Sequence, residues 1–395
     1  MNQKNSIYGV PERALMLDCG RKYFSPKWFE RAIPLLKKAN MNTLYLHFSE
    51  EMGLRIESKQ FPWLAGGDNT LCVHGSKNGL AEDNTKYLTQ DELKYIASIA
   101  KAHQIELVPS LDSPGHMNYA VKKYNERYNT DIGNYFHKNR KVSVVQGSSL
   151  TGEDAQKRFS RGIDIANPEA VSFARSLLTE YGELFYSLGA KSFDIGGDEL
   201  LGFGESIDST LSKWQSLEHW DALAQEKTGR ADAVAYDAFL LYMNETASLM
   251  RSLGYRSVRM WNDDVLRSAD TNWKRAAELD KTIEIEYWTP SANGGKNTVR
   301  TYLDEGYRVY NFINYYTYYV LGFGMKSKIT PAQLSSEWNA YNFGTPEKQD
   351  LITPSDTSVL GGGFCVWCDN PKAESADDIL KHISPYLFSA GEAML

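Results

Sequence analysis

Eight short apolar segments recur along the whole chain, and longer segments with the periodicity of amphipathic helices separate them. Such an alternation predicts an α/β fold with a parallel sheet covered by helices. Eight repeats, without a G-x-G-x-x-G motif after the first, favour a closed (β/α)₈ TIM barrel over an open doubly wound sheet. The predicted strands are ALMLDC (14–19), TLYLHF (43–48), IELVPSL (105–111), KSFDIG (191–196), SVRMW (257–261), TIEIEYW (282–288), YRVYNFI (307–313) and GGFCVW (362–367).

No linker rich in proline, serine or glycine interrupts this pattern, and a length of 395 residues is compatible with one barrel domain. We therefore expect residues 1–12 to form an N-terminal leader and residues 13–395 to form a single barrel. The first ten residues, MNQKNSIYGV, lack the apolar core of a signal peptide. The chain is accordingly expected to be either cytoplasmic or a domain cut from a longer secreted protein.

Charge and hydropathy argue against two classes of partner. The chain carries 43 basic and 50 acidic side chains, so its net charge of −7 disfavours binding to the phosphates of nucleic acids. No apolar stretch is long enough to span a membrane. The predicted helices leave no spare apolar stripe for a protein partner, which favours a monomer. Four cysteines are too few for a disulfide framework, and the C-x-x-C pair Cys365 and Cys368 is interpreted as buried thiols.

Polar and aromatic side chains cluster at the C-terminal ends of the predicted strands, where barrels carry their chemistry. Long loops at 53–90, 117–165 and 201–231 are expected on the same face and would shape a cleft there. The residues at these strand ends include Asp18, Arg21, His47, Glu50, Glu51, Asp112, His116, Asp198, Glu199, Trp261, Trp288, Trp367 and Asp369.

Two adjacent carboxylates stand out in the stretch FDIGGDELLGF, at the end of the fourth predicted strand. Carboxylates with tryptophans at a barrel mouth suit the cleavage of sugar bonds, in which one acid protonates the leaving oxygen. The usual schemes place the two carboxylates about 5–10 Å apart on opposite sides of one bond. Asp198 and Glu199 are neighbours in sequence and diverge at a strand end, so the nucleophile must be another group.

An ordered set of motifs then resembles one known family. The motifs MLDCGRKYFSP, LHFSEEMGLRIES, SLDSPGH, GGDE and GFCVWCD run from about residue 13 to about residue 370, and the fifth and sixth strands end in tryptophan. Together they resemble glycoside hydrolase family 20, the β-N-acetylhexosaminidases. The resemblance implies retaining, substrate-assisted hydrolysis, in which the acetamido oxygen of the sugar attacks its own anomeric carbon and forms an oxazolinium intermediate.

The resemblance also implies roles for individual residues. Glu199 is expected to be the general acid and base, and Asp198 to orient the acetamido group. A tyrosine of the NYYTYY segment should hydrogen-bond the acetamido carbonyl, and Tyr318 is the first choice with Tyr319 the second. The aromatic box around the acetamido methyl is expected to consist of Trp261, Trp288 and Trp367.

Further residues are expected around the sugar hydroxyls and the acid. Arg21 should hydrogen-bond the sugar hydroxyls. The alternative for this side chain is an ion pair with Asp18 or another acid. Asp369 stands where the family usually has a glutamate, which leaves the choice between the gluco and galacto configurations open. His116 with Asp112 should position Glu199. The pair Glu50 and Glu51 stands where the family often has two aspartates, and a structural role is assigned to it.

The sequence therefore predicts an exo-acting enzyme that releases terminal β-linked N-acetylglucosamine or N-acetylgalactosamine from glycans, without metal or cofactor. One alternative is a lacto-N-biosidase-like enzyme that releases a disaccharide. Another is a catalytically silent barrel that only binds N-acetyl sugars. The presence of both Asp198 and Glu199 argues against the silent alternative, because binding alone needs no acid at the scissile oxygen.

Overall fold

Eight parallel strands close into a barrel in the computed structural model, because each strand pairs with the next and the eighth pairs with the first. The structure describes residues 9–68, 85–134, 162–200, 218–263, 265–266, 275–290, 298–322, 327–354 and 356–395. The predicted barrel is thus confirmed. Its strands are Glu12–Asp18, Thr43–Glu50, Glu106–Leu111, Ser192–Asp194, Ser257–Trp261, Glu284–Tyr287, Val309–Asn311 and Val359–Trp367.

Short strands and helices surround the barrel. The segment Tyr318–Val320 adds a parallel strand beside the eighth barrel strand, at its C-terminal end. The remaining short strands of the described residues are Gly53–Leu54, Gly66–Gly67, Gly133–Asn134 and Gly162–Ile163. The helices of the described part of the chain are Pro26–Lys38, Gln90–Ala102, Asn118–Tyr128, Pro168–Ser187, Glu218–Thr228, Ala235–Ser252, Val299–Asp304, Asn314–Thr317, Pro331–Glu337 and Ala376–Ala393.

Alternating strand residues build two separate apolar cores. Ala14 and Met16 of the first strand face the barrel axis and pack in a cluster that includes Trp261. Leu15 and Leu17 face outward and join the larger core beneath the helices. Burying each such large apolar side chain stabilises the fold by about 1.5–3 kcal/mol. Among the described residues, the barrel interior is therefore packed with apolar side chains.

The end of the fourth strand differs from the sequence prediction. The regular strand covers only Ser192–Asp194 of the predicted 191–196, although backbone hydrogen bonds to the fifth strand continue through Ile195 and Gly196. Gly196 and Gly197 have φ values of +74° and +88°, and these positive values turn the chain into the cleft. The two glycines thus set where the carboxylates behind them lie.

The connection between the fifth and sixth strands also differs from the predicted strand–helix repeat. Its described residues, 262–263, 265–266 and 275–283, form no helix. Side chains of the preceding helix hold this segment instead: Asp237 accepts the backbone N–H groups of Ala276 and Ala277 at 3.0 Å, and Asn244 accepts that of Asp280 at 2.8 Å. These bonds satisfy backbone groups that a helix would otherwise pair.

Several smaller expectations concern the described residues. Cys19, Cys365 and Cys368 are buried free thiols, whereas Cys72 lies outside the described residues. None of the described helices is both long and apolar enough to cross a membrane. The first strand begins at Glu12, at the edge of the predicted leader 1–12, and residues 1–8 lie outside the described part of the chain. Large parts of the predicted loops also lie outside it, namely 69–84, 135–161 and 201–217.

Candidate active site

A cleft of about 150 Å³ opens at the C-terminal ends of the barrel strands. It brings together nearly all the residues that the sequence proposes for the site. Its lining consists of Arg21, Glu50, His116, Asp198, Glu199, Trp261, Trp288, Tyr318, Val320, Trp367 and Asp369. A larger cavity of about 710 Å³ lies at the opposite end of the barrel. That end of a barrel contributes to stability rather than to chemistry.

The turn after the fourth strand carries the two adjacent carboxylates. A Cβ atom at Gly196 would lie 2.5 Å from Oδ1 of Asp112, so only glycine fits beneath the turn. Glu199 itself has a φ of +44°, a conformation that costs a non-glycine residue about 1–3 kcal/mol. Strain of this kind occurs at functional sites, where the surroundings hold a side chain in a required direction.

His116 links the two carboxylates to the wall of the barrel. Its Nε2 atom lies 3.5 Å from both Asp198 Oδ2 and Glu199 Oε2, and its Nδ1 atom lies 2.9 Å from Glu50 Oε2. Burial opposes a charge on His116, but Glu50 and Asp198 outweigh it and raise the pKa of this histidine well above its usual value. The imidazolium therefore contacts both carboxylates of the turn.

Burial also raises the pKa of Asp198, to about 6, against the opposing effect of the positive charge on His116. Glu199 and Glu50 add to the increase. Asp198 is thus an anion at neutral pH and takes up a proton under mildly acidic conditions. Its side chain is 14% exposed and that of Glu199 is 27% exposed, so Glu199 lies nearer to solvent.

Arg21 forms ion pairs with three carboxylates at the cleft. Its guanidinium lies 2.9 Å from Asp18, 2.7 Å from Glu50 and 3.0 Å from Glu51, and 5.9 Å from the centre of the Trp367 ring. The ion pairs that the sequence offered as an alternative are therefore present, yet the same side chain lines the cleft. A guanidinium held in this way keeps a fixed direction toward a ligand.

Asp369 lines the same cleft and interacts electrostatically with Arg21. Burial raises its pKa to about 7, while Arg21 counteracts the increase. Glu51, Asp18 and Glu50 raise it further, because four acidic groups share one arginine. The carboxyl group can thus donate or accept a hydrogen bond near neutral pH.

Aromatic rings form the wall opposite the carboxylates. Trp288 stacks on Tyr318 with ring centres 6.0 Å apart and an interplanar angle of 4°. Trp367 lies 6.0 Å from Trp261 and 5.7 Å from Tyr318. Burial raises the pKa of Tyr318 well above its usual value, so its hydroxyl keeps its proton and can donate a hydrogen bond. The rings enclose a small apolar space, to which the Tyr318 hydroxyl adds one polar group.

The structure separates the two candidate tyrosines. Tyr318 faces the cleft, whereas the hydroxyl of Tyr319 donates to Glu374 at 2.9 Å and lies outside the cleft lining. Alternation along the strand Tyr318–Val320 explains the difference, because successive side chains point to opposite faces. Tyr319 therefore does not join the site residues.

Sequence reasoning missed several contacts of the site. It gave Glu50 only a structural role, yet this carboxylate lines the cleft and contacts both Arg21 and His116. Asp263 received no role, although its Oδ2 accepts the indole N–H of Trp288 at 2.6 Å. Both residues lie at strand ends, which is the signal that could have identified them.

Three groups of described side chains have donor atoms close enough to surround a cation, with all atoms of a group within 4.8 Å of one another. Each group uses carboxylates or histidines that already belong to the cluster around Arg21 and His116. A cation would have to compete with these ion pairs. The groups are His47, Glu50 and Asp112; Glu50, Glu51 and His116; and Asp112, His116 and Asp198.

Known proteins include relatives of this chain. The family model for the catalytic domain of glycosyl hydrolase family 20 matches residues 11–394. The chain belongs to this family. Among curated members, it is 32% identical to a β-hexosaminidase of Vibrio furnissii over 380 residues, covering 90% of this chain and 52% of the relative. It is 27% identical to a lacto-N-biosidase of Bifidobacterium bifidum over 308 residues, covering 76% of this chain and 23% of the relative.

The chain thus spans about half the length, or less, of these family 20 relatives. Solved structures support the fold. Dispersin B superposes with a TM-score of 0.66 at 22% identity, covering 97% of this chain and 99% of that one. A family 20 exo-β-N-acetylglucosaminidase from Vibrio harveyi gives a TM-score of 0.70 at 19% identity, covering 98% and 54%.

Proposed function

We propose that this family 20 domain is a retaining exo-β-N-acetylhexosaminidase that works by substrate assistance. The observation that carries the proposal is the arrangement of one small pocket: Asp198 and Tyr318 line it together with the tryptophans, and Glu199 lies at its more exposed side. An acetamido group offers a methyl for the indoles, an N–H for Asp198 and a carbonyl for Tyr318. The pocket is thus complementary to the 2-acetamido group of a sugar.

In the proposed first step, the acetamido carbonyl oxygen attacks the anomeric carbon while Glu199 gives its proton to the leaving oxygen. Asp198 accepts the acetamido N–H and balances the positive charge that develops on the ring. Tyr318 donates to the carbonyl oxygen and holds it in position. In the second step, Glu199 removes a proton from water, whose oxygen adds to the anomeric carbon and reopens the oxazolinium. Two inversions at this carbon give net retention.

The size of the cleft supports the release of a single terminal sugar. Pockets for drug-sized ligands enclose about 300–1,000 Å³, whereas this cleft encloses about 150 Å³. Arg21 and Asp369 also line the cleft, where they would meet the outer hydroxyls.

A second candidate is the release of a disaccharide, and one observation favours it. The relative from Bifidobacterium bifidum, a lacto-N-biosidase, is similar to this chain over 308 residues. That reaction would use the same carboxylates and needs additional space beyond the terminal ring.

Side-by-side hydrolysis of p-nitrophenyl β-glycosides tests both candidates. The substrates are those of N-acetylglucosamine, N-acetylgalactosamine and lacto-N-biose, and the released p-nitrophenol is followed by absorbance. We expect release from the two monosaccharides. Release from the disaccharide alone would establish the second candidate, and no release from any of the three would favour a sugar-binding barrel without activity.

Tyr318→Phe is expected to lower kcat about 10²–10³-fold, the range for losing one donor to a developing charge. Tyr319→Phe is the matched control, because its hydroxyl bonds Glu374 outside the cleft. Initial rates with the p-nitrophenyl substrate that is cleaved best provide the measurement. A large loss in Tyr319→Phe with none in Tyr318→Phe would contradict the proposed role of Tyr318.

A further inference from the structure

His47 lies directly beneath the cleft floor and belongs to none of the groups that would touch substrate. It is fully buried on the second strand, and its ring packs edge-on against Trp367 at 5.1 Å. Its Nδ1 atom lies 2.8 Å from the hydroxyl of Ser110, which in turn donates to Asp194 at 2.5 Å. Ser110, itself held by Asp194, thus keeps the His47 ring in one orientation.

The other nitrogen of His47 faces carboxylates. Its Nε2 atom lies 3.4 Å from Glu50 Oε1 and 3.5 Å from Asp112 Oδ2, and both carboxylates are buried. The two oxygens of Asp112 accept no hydrogen bond from the described residues. Burial and the charge of Asp198 raise the pKa of Asp112 well above its usual value, whereas positive charges on His47 and His116 oppose this increase and favour the Asp112 anion. Burial opposes a charge on His47, but Asp112, Glu50 and Asp18 outweigh it and raise its pKa to about 10.

These two carboxylates lead to different parts of the site. Glu50 contacts His116 at 2.9 Å and Arg21 at 2.7 Å. Asp112 lies under the turn that carries Asp198 and Glu199. One side-chain oxygen or nitrogen from each of Asp112, His116 and Asp198 lies within 4.8 Å of the other two. The His47 ring therefore contacts both Glu50, which bonds His116, and Asp112, which lies under the turn that carries Asp198 and Glu199.

We propose that His47 is a positioning residue whose buried positive charge holds Glu50 and Asp112 in place beneath Asp198 and Glu199. This inference rests on the proposed function, and it adds a group that acts only through other residues. The carboxylates that face or surround His47 belong to several elements: Asp18, Glu50, Asp112, Asp194 and Asp198.

The charge on His47 has a measurable consequence at Asp198. The positive charge of His47 lowers the pKa of Asp198, which burial otherwise raises to about 6. The reaction needs Asp198 as an anion, so kcat/KM should fall as the pH drops through this value. Loss of the charge on His47 raises the pKa of Asp198, and the acidic limb of the kcat/KM profile then moves to higher pH.

The experiment compares wild type, His47→Gln and His103→Gln over pH 4.5 to 9 with an activated aryl β-N-acetylhexosaminide. His103 follows the helix Gln90–Ala102 and serves as a matched control away from the cleft. We expect His47→Gln to lower kcat/KM about 10–100-fold and to move the acidic limb upward by about 0.5–1 pH unit. The control should match wild type. Repetition in an Asp369→Asn background removes the other group that titrates near this limb.

A uniform loss of rate in His47→Gln with an unmoved acidic limb would overturn the inference, as would a profile identical to wild type. If the variant does not fold, ¹⁵N NMR of the wild-type imidazoles provides the test. We expect the His47 ring to carry two protons at pH 7, and a neutral ring there would overturn the inference. A wild-type protein inactive on all three glycosides would instead count against the proposed function.

Discussion

Glu199→Gln is expected to lower kcat/KM about 10²–10⁴-fold for glycans and alkyl glycosides, the range for losing a general acid. The amide keeps the shape of the side chain but has no proton to give to the leaving oxygen. Aryl glycosides with acidic phenols leave without such help, so their first step should be much less affected. The two substrate classes should therefore respond very differently to one substitution.

The measurement is a plot of log kcat/KM against the pKa of the leaving phenol or alcohol. Wild type should give a shallow slope, and Glu199→Gln a steep one. Glu57→Gln is a matched control, because this carboxylate contacts Lys59 and Gln90 away from the cleft. Equal losses for good and poor leaving groups would contradict the role of Glu199 as the acid.

Asp198→Asn is expected to lower kcat about 10²–10³-fold for good and poor leaving groups alike. The amide cannot balance the positive charge of the oxazolinium, and its NH₂ group can point at the acetamido N–H instead of accepting from it. The intermediate-forming step suffers regardless of the leaving group. This pattern differs from that of Glu199→Gln and separates the two adjacent carboxylates.

The pH profile gives a second readout for Asp198→Asn. The pKa of about 6 belongs to Asp198 in wild type, so the corresponding acidic limb should disappear in the variant. Asp91→Asn is a matched control, because Asp91 lies exposed in the first turn of the helix Gln90–Ala102. Wild-type activity in Asp198→Asn would contradict substrate assistance at this site.

Much of the fold could be predicted because apolar periodicity reports local structure. Each of the eight predicted strands overlaps a barrel strand. The tryptophans could also be placed, because the last residue of a strand lies at the barrel mouth whatever the exact register. Strand ends thus carry most of the information about the site that a single sequence provides.

Contacts between distant strands could not be predicted in the same way. Tyr318 and Tyr319 differ only in which face of a three-residue strand they occupy, and the preceding helical turn Asn314–Thr317 sets that register. Asp112 leaves no room for a side chain at Gly196, although the two residues are 84 positions apart in sequence. Glu50 bonds His116, which is 66 positions away. Such contacts depend on the closed barrel, not on local propensity.

The most direct test of substrate assistance changes the nucleophile itself. Aryl β-glycosides of glucosamine are prepared with acetyl, fluoroacetyl, difluoroacetyl and trifluoroacetyl groups on nitrogen, and kcat/KM is measured for each. Every fluorine draws electrons from the carbonyl oxygen and weakens it as a nucleophile, so we expect a steep fall in rate along the series. A rate independent of fluorine content would contradict the account, because it would mean that a group of the protein attacks the anomeric carbon.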